Sequence, residues 1–420
     1  MKDSAILQRG WIYSSALFVF LAIALAAPVP FAHAEAEVAK TETLRPEVAK
    51  PLQAAQDLLK EKKFKEALAK VGEADAVAEK TPYEAFVIER VRGAAAASAG
   101  DIETAVKAFE AVIAAGRLPA ADQLKLIEAV AGTYYQAKQY AKVLPWAQRY
   151  LKEGGTNVQV RMMLAQVQYL AGDFTAAAKA LEIELGADLA AGAVPSEERL
   201  QLLANCYVKL KDFDAYAKVL ERLVTYHPKK EYWGDLITRV QRKAGFANRL
   251  WLDAYRLQYA TGNLNEATDY LDMAQLAIQA GLPAEAQRIL DEGFAKNVLG
   301  TGKEAERQKK LRDQVTKQAA DDLKGLPKFA VDAEKAKDGS PLVSIGYAYA
   351  SVGQIDKGVA LMERGIAKGG LKRPEEAKLH LGLAILQLGD KARAGAILKD
   401  VQGSDGEADL ARLWRIQAKL

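Results

Sequence analysis

The sequence predicts an all-α solenoid of about ten helix pairs with a further helix at its C-terminal end. Three observations predict it. A small residue recurs along the chain at Ala55, Gly93, Ala131, Ala165, Ala204, Ala274, Gly346 and Gly382, with single steps of 34 to 39 residues and two double steps. A second small residue follows at Ala67, Ala105, Ala177, Ala286, Gly358 and Ala394, and a large apolar one soon after it, at Val71, Phe109, Leu181, Leu220, Leu290, Met362 and Leu398. Between the two small residues lies a turn, written Gly100-Asp101-Ile102, Gly172-Asp173-Phe174 and Gly389-Asp390, or Lys62-Lys63-Phe64 and Lys211-Asp212-Phe213.

Each part of the pattern has a physical reading. Small residues belong where two helices cross closely, because a larger side chain pushes the axes apart, and the large residues fill the groove beside the crossing. Glycine accepts the left-handed conformation that ends a helix, and aspartate caps the next one. One helix pair cannot bury its apolar face alone, so successive pairs stack.

The chain opens differently. Lys2 and Arg9 precede an unbroken apolar run from Ala16 to Ala27, broken by Pro28 and Pro30 and followed by Ala32-His33-Ala34. That order describes a secretory signal peptide over residues 1–34, cleaved before Glu35. A spanning helix needs about 20 apolar residues, more than this run holds. The alternative is retention as a membrane anchor. The long Ala-rich leader points to a Gram-negative bacterium and the periplasm. Residues 35–46 are polar and read as a flexible leader, 47–299 as the main array, 300–340 as a degenerate repeat or spacer, and 341–420 as the last repeats with the capping helix Glu407–Leu420. Weaker copies are expected near Ile237 and Lys310, longer loops at Thr156-Asn157 and from Gly186 to Pro195, and a bent or shortened helix at Pro145.

Composition narrows the function classes. In 420 residues, Lys and Arg number 58 and Asp and Glu 54, too balanced for a protein whose main partner is nucleic acid. The single cysteine, Cys206, lies in an apolar run and reads as a buried structural thiol. The histidines beyond the leader, His227 and His380, are far apart, and no HExxH, cysteine pair or GxSxG is present, so neither a metal, a cofactor nor a catalytic set is expected. Gly300-Thr301-Gly302-Lys303 imitates the end of a phosphate loop, but Glu304 stands where Ser or Thr belongs and Asn297 where a glycine belongs.

These repeats resemble the tetratricopeptide repeat (TPR) family over nearly all of the chain beyond the leader, with Trp233 and Pro228 where that family's tryptophan and proline stand. The resemblance implies a right-handed α-solenoid whose first helices line a concave groove for an extended peptide or a partner helix. It places Tyr135, Gln136, Gln166, Tyr169, Gln201, Asn205, Lys209, Gln275 and Tyr347 on that groove, with Glu128, Gln241 and Arg242 beside them. Amides and tyrosines suit a peptide backbone. The carboxylate clamp used by some TPR proteins is not matched: Gln201 stands in place of its lysine beside Asn205. The resemblance therefore implies a non-enzymatic periplasmic scaffold or adaptor with a protein or peptide partner, in envelope assembly or transport; some members accompany TonB-type systems. The alternatives are a glycan- or peptidoglycan-binding module using Tyr134, Tyr135, Tyr169 and Trp146, or the regulatory subunit of an envelope enzyme.

Overall fold

The computed structural model describes residues 42–419. The expected signal peptide and residues 35–41 of the expected leader lie outside the described residues. The described residues are helical throughout, without a strand. They fall into two compact units: one comprises residues up to Pro195 together with Asn205–Lys211, the other Ser196–Ala204 together with the chain from Asp212.

The first unit is built from α1 (Pro46–Lys60), α2 (Phe64–Asp75), α3 (Pro82–Ala99), α4 (Ile102–Ala114), α5 (Ala120–Gln136), α6 (Tyr140–Lys152), α7 (Val158–Leu170) and α8 (Phe174–Ala190). Each odd-numbered helix packs on the even-numbered one after it, and α2, α4 and α6 pack on the pair that follows. Every anchor of the sequence ladder in this unit is buried: Ala55, Gly93, Ala131 and Ala165, then Ala67, Ala105 and Ala177, with Val71, Phe109 and Leu181 beside them. Gly93 states the reason: a Cβ there would lie 2.3 Å from the Phe109 ring. At the Gly-Asp turns the glycine takes positive φ, 78° at Gly100 and 83° at Gly172. Asp101 and Asp173 then accept from the backbone N–H of Thr104 and Ala176, at 3.2 and 2.9 Å.

Two expectations change. The segment from Gly186 is not loop: α8 runs on to Ala190, and only after it does the chain turn, with Gly192 at φ 67°. Leu185 is buried and anchors this last stretch, which is otherwise rich in the helix formers Ala and Leu. Pro145 does not end its helix; it sits inside the 13 residues of α6 on an exposed face.

The second unit holds α9 (Glu197–Leu210) through residue 204, then α10 (Phe213–Tyr226), α11 (Lys230–Gln241), α12 (Trp251–Ala260), α13 (Ala267–Gln279), α14 (Pro283–Ala295), α15 (Ala305–Glu334), α16 (Ser340–Ser351), α17 (Ile355–Lys368), α18 (Pro374–Gln387), α19 (Lys391–Lys399) and α20 (Glu407–Ala418). The closest crossing is α16 on α17, where a Cβ on Gly346 would lie 2.6 Å from the carbonyl oxygen of Gly358. The weak copy expected near Lys310 is not a helix pair. α15 is one 30-residue helix through Pro327, packed between α14 and α16 by Val315, Leu326 and Ala333. Its outer surface is largely charged, as read from the sequence, but its C-terminal half also exposes Leu323, Phe329 and Val331.

The C-terminal helix also differs from expectation. α20 does not merely close an end: it packs on α18 and α19 and also on α10 and α12. Arg249 makes this return contact polar as well as apolar, binding Glu376 and Asp405 at 2.7 Å each and Glu407 besides. The Ala247 N–H donates to the Asp405 carbonyl at 2.8 Å, and Gly406, at φ 126°, sits so close to Phe246 that a Cβ would lie 2.7 Å from its ring. Between α12 and its partners the second unit is a closed body rather than an open end of an array.

Candidate functional site

In the first unit, the expected groove residues lie on α5, α7 and residues 205–211. Tyr135 on α5 donates its hydroxyl to Gln166 Oε1 on α7 at 2.6 Å, so two of the expected residues are brought together across successive first helices. The Tyr135 ring also meets Tyr140 edge-on, with centroids 5.7 Å apart. Tyr169 is likewise braced edge-on by Phe174 at 5.2 Å, and its hydroxyl is raised above the ordinary tyrosine range by burial and by the neighbouring Cys206. Both tyrosines are half-buried, Asn205 is half-buried, and Gln136 and Lys209 are exposed. Glu128 accepts from Asn157 Nδ2 at 2.6 Å. These braced rings and amides are held in fixed positions with part of each surface open. Such an arrangement presents donors, acceptors and flat apolar area without a large ordering cost. Tyr134 and Trp146, the other aromatic residues named for a glycan, pack against the cores of this unit.

The second unit treats its expected residues differently. Gln201 donates to the Tyr232 hydroxyl at 2.5 Å, and Tyr232 in turn binds Glu197, itself paired with Lys229 at 2.6 Å. Burial and then Glu197 raise the Tyr232 hydroxyl. Gln241 accepts from Gln258 at 3.2 Å, while Arg242 and Gln275 stay exposed. Tyr347 is the correction. It was expected on an open groove and is only 9% exposed. Its ring stacks on His380 at 4.4 Å and lies 4.9 Å from the Arg256 guanidinium. The face on which it was expected to meet a partner meets α12 of the same chain.

That meeting place is a buried polar cluster which sequence reasoning missed. Arg256 grips Glu285 with two bonds, of 2.8 and 2.6 Å, and Asp253 with a third of 2.6 Å. Asp253 Oδ1 also lies 2.9 Å from His380 Nε2. Burial works against the Asp253 carboxylate, but His380 and Arg256 outweigh it and hold the group down at about 2. The same guanidinium holds Glu285 low against its burial. The residues come from α12, α14, α16 and α18, up to 127 positions apart, so no local spacing announces them. The one signal was His380, a rare residue type in this chain. Arg256 stands between the carboxylates where a metal would have to sit, and among the described residues no three His, Cys, Asp or Glu side chains converge for one. The cluster is tied up with itself, and its chemistry is to lock four helices together.

Cys206 is fully buried, and burial pushes its thiol up to about 12. Gly300 donates its N–H to Gln308 Oε1 at 2.7 Å, an intrachain helix start at the stretch that imitates a phosphate loop. Among the described residues no helix is long and apolar enough to cross a membrane.

Residues 200–230 match the family model described as the tetratricopeptide repeat. No curated protein matches the chain. Among solved structures, a tetratricopeptide repeat protein from Parabacteroides merdae is 12% identical, with 81% of this chain and 99% of that one covered and a TM-score of 0.33. The Naa15/Naa10 complex bound to HypK-THB is 15% identical, with 87% and 58% covered and a TM-score of 0.33. The maize pentatricopeptide repeat protein PPR10 is 13% identical, with 87% and 62% covered and a TM-score of 0.32.

Proposed function

For a chain that is a tetratricopeptide-repeat protein, matched at residues 200–230 and built of like helix pairs before and after them, we propose a non-enzymatic scaffold that binds a protein or peptide partner through its first unit. The observation that carries this reading is the braced pair Tyr135 and Gln166, joined at 2.6 Å across α5 and α7. Tyr169, Gln136, Asn205 and Lys209 extend the same set within that unit. An extended peptide laid along successive first helices finds amides for its backbone and two tyrosine rings for its side chains. The corresponding face around Tyr347 is occupied by α12, so the second unit contributes rigidity rather than this groove.

The leader supports a periplasmic setting, and with it a place in envelope assembly or transport. Its apolar run, the prolines after it and Ala32-His33-Ala34 are the observations for export.

The test is affinity capture of the exported chain from a periplasmic extract, beside a variant carrying Tyr135→Ala, Tyr169→Ala and Asn205→Ala. The expected result is loss of specific partners from the variant while its helical circular dichroism is kept. An unchanged partner list refutes the groove assignment. N-terminal sequencing of the purified exported chain checks cleavage before Glu35; an intact Met1 refutes it.

A further inference from the structure

Arg249 and Glu376 each stand four residues before Asp253 and His380, and both pairs join the start of α12 to α18. The C-terminal segment closes on the Arg249 end of this polar seam. Three carboxylates, of Glu376, Asp405 and Glu407, converge there on one guanidinium. Glu376 has a second cation in Arg373, at 3.6 Å. Among the described residues Asp405 and Glu407 have only Arg249 as an ion-pair partner. The other charges around α20 are matched elsewhere. Asp409 pairs with Lys243 and Arg412, both at 2.9 Å, and Arg412 reaches Glu221 of α10 at 3.0 Å. Glu375 and Asp400 share Lys378, and Glu375 also accepts from the Gln402 N–H at 2.6 Å. One negative charge is therefore left over between Asp405 and Glu407.

The surroundings decide which acid gives it up. The Asp405 side chain is 43% exposed. Glu407 is 3% exposed, and while its Oε1 accepts from Arg249, its Oε2 is buried without a hydrogen-bond partner. The backbone closes over that oxygen: a Cβ on Gly403 would lie 2.4 Å from it. A buried oxygen with no donor disfavours a negative charge and favours a proton. Burial and then the hydrogen bond to Asp405 push the Glu407 carboxyl upward, and its own backbone N–H and Arg249 do not outweigh them. Asp405 is driven the other way, below the usual carboxylate range, first by Arg249 and then by Glu407. Two neighbouring acids pushed apart in this way divide the roles of proton donor and acceptor.

We propose that the C-terminal segment is a proton-sensitive latch, in which Glu407 carries a proton that it donates to Asp405, and loss of that proton to water as pH rises loosens residues 401–418 from α12 and α18. A proton held more tightly in the closed latch than in the open one favours closure. The contribution is complete below the ordinary glutamate value of about 4.3 and is lost as pH rises through the higher value of the closed latch. Its sign is opposite to that of Asp253, whose contribution is lost on acidification. Loosening uncovers the faces of α10 and α12 on which α20 packs.

The test is hydrogen exchange of α20 in the full chain between about pH 5 and pH 8, read as the ratio of the natural rate to that of a variant at the same pH, which cancels the intrinsic pH dependence of exchange. Glu407→Gln keeps the shape and donor of the protonated acid. Its α20 is expected to exchange at least about threefold more slowly than the natural chain at the upper pH, since each unit of displacement is a factor of ten. The ratio is expected to shrink towards one at the lower pH. Asp405→Asn removes the neighbouring charge, so the ratio is expected to rise with pH there too, from whatever baseline that variant sets. Glu221→Gln changes the other buried acid facing α20, whose carboxyl burial also pushes up, and its ratio is expected to stay level. The proposal is overturned if the Glu407→Gln ratio does not change with pH, or if Glu221→Gln shows the rise instead. It is equally overturned if Glu407→Gln loosens α20 at every pH, which would show that Glu407 works as a carboxylate.

Discussion

His380 Nε2 lies 2.9 Å from Asp253 Oδ1, joining α18 to a helix 127 residues earlier in the chain. The contact turns the second unit from a row of helix pairs into a closed body. Asp253 also accepts from Arg256, so one carboxylate serves both partners in a site 2% exposed. Asp253→Asn is expected to destabilise the second unit by about 3 kcal/mol, because it strips charge from a buried network and leaves its partners in place. Urea titration by circular dichroism measures it.

The same carboxylate sets an acid dependence. Its folded value of about 2 lies below the ordinary aspartate range, so its contribution to stability is present above about pH 4 and is lost as pH falls towards 2. Urea midpoints taken between those pH values are expected to fall more steeply for the natural chain than for Asp253→Asn. Equal slopes would show that another group governs this window.

Arg249 fastens the C-terminal segment through Glu376, Asp405 and Glu407. Arg249→Ala is expected to cost about 1–3 kcal/mol locally, since charged hydrogen bonds are lost from a part-buried site. Hydrogen exchange should then quicken in residues 401–418 while α3 to α6 stay unchanged. Unchanged exchange in α20 would show that its apolar contacts alone hold it.

Gly346 and Gly358 give the sharpest packing test. A Cβ on Gly346 would stand 2.6 Å from the carbonyl oxygen of Gly358 and 2.8 Å from the Met362 nitrogen, both backbone atoms that cannot swing aside. Gly346→Ala is expected to destabilise by about 1–3 kcal/mol, read as a lowered midpoint in thermal unfolding.

Lys138 closes the turn between α5 and α6 at φ 58°, where comparable turns have Gly100 or Gly172. Its N–H bonds Tyr135 O at 2.9 Å just as the Gly172 N–H bonds Tyr169 O at 3.0 Å. Lys138→Gly is therefore expected to stabilise the chain by about 0.5–1 kcal/mol, by relieving the left-handed conformation of a residue with a Cβ. Gly172→Ala should do the reverse, and the two midpoints moving in one direction would sink the argument.

Much of the fold was legible because its repeating unit is local. Ala165, Gly172, Asp173, Ala177 and Leu181 lie within one helix pair, and their spacing alone says which face is buried and where the chain turns. Every ladder residue of both units is buried where that spacing puts it. The candidate groove was legible as the proximity of Tyr135 and Gln166, where the array follows the repeat. It was not legible at Tyr347, because the residues that cover it, Arg256 above all, come from a distant helix with a different neighbour set. The end of α8 and the unbroken α15 were misread for a related reason. Glycine and proline mark turns in an isolated segment, but buried anchors such as Leu185 and Leu326 keep a helix going past them.

By itself, then, the sequence determined the helix pairs, their turns, their close crossings and the buried cysteine, since each depends on residues a few turns apart. Only the tertiary structure decided that α20 returns to α10 and α12, that Asp253, Arg256, Glu285 and His380 form one cluster, and that Tyr347 is spent inside the protein. Those outcomes depend on which distant faces meet, and a repeat whose small and large residues are alike in every copy carries no record of that choice.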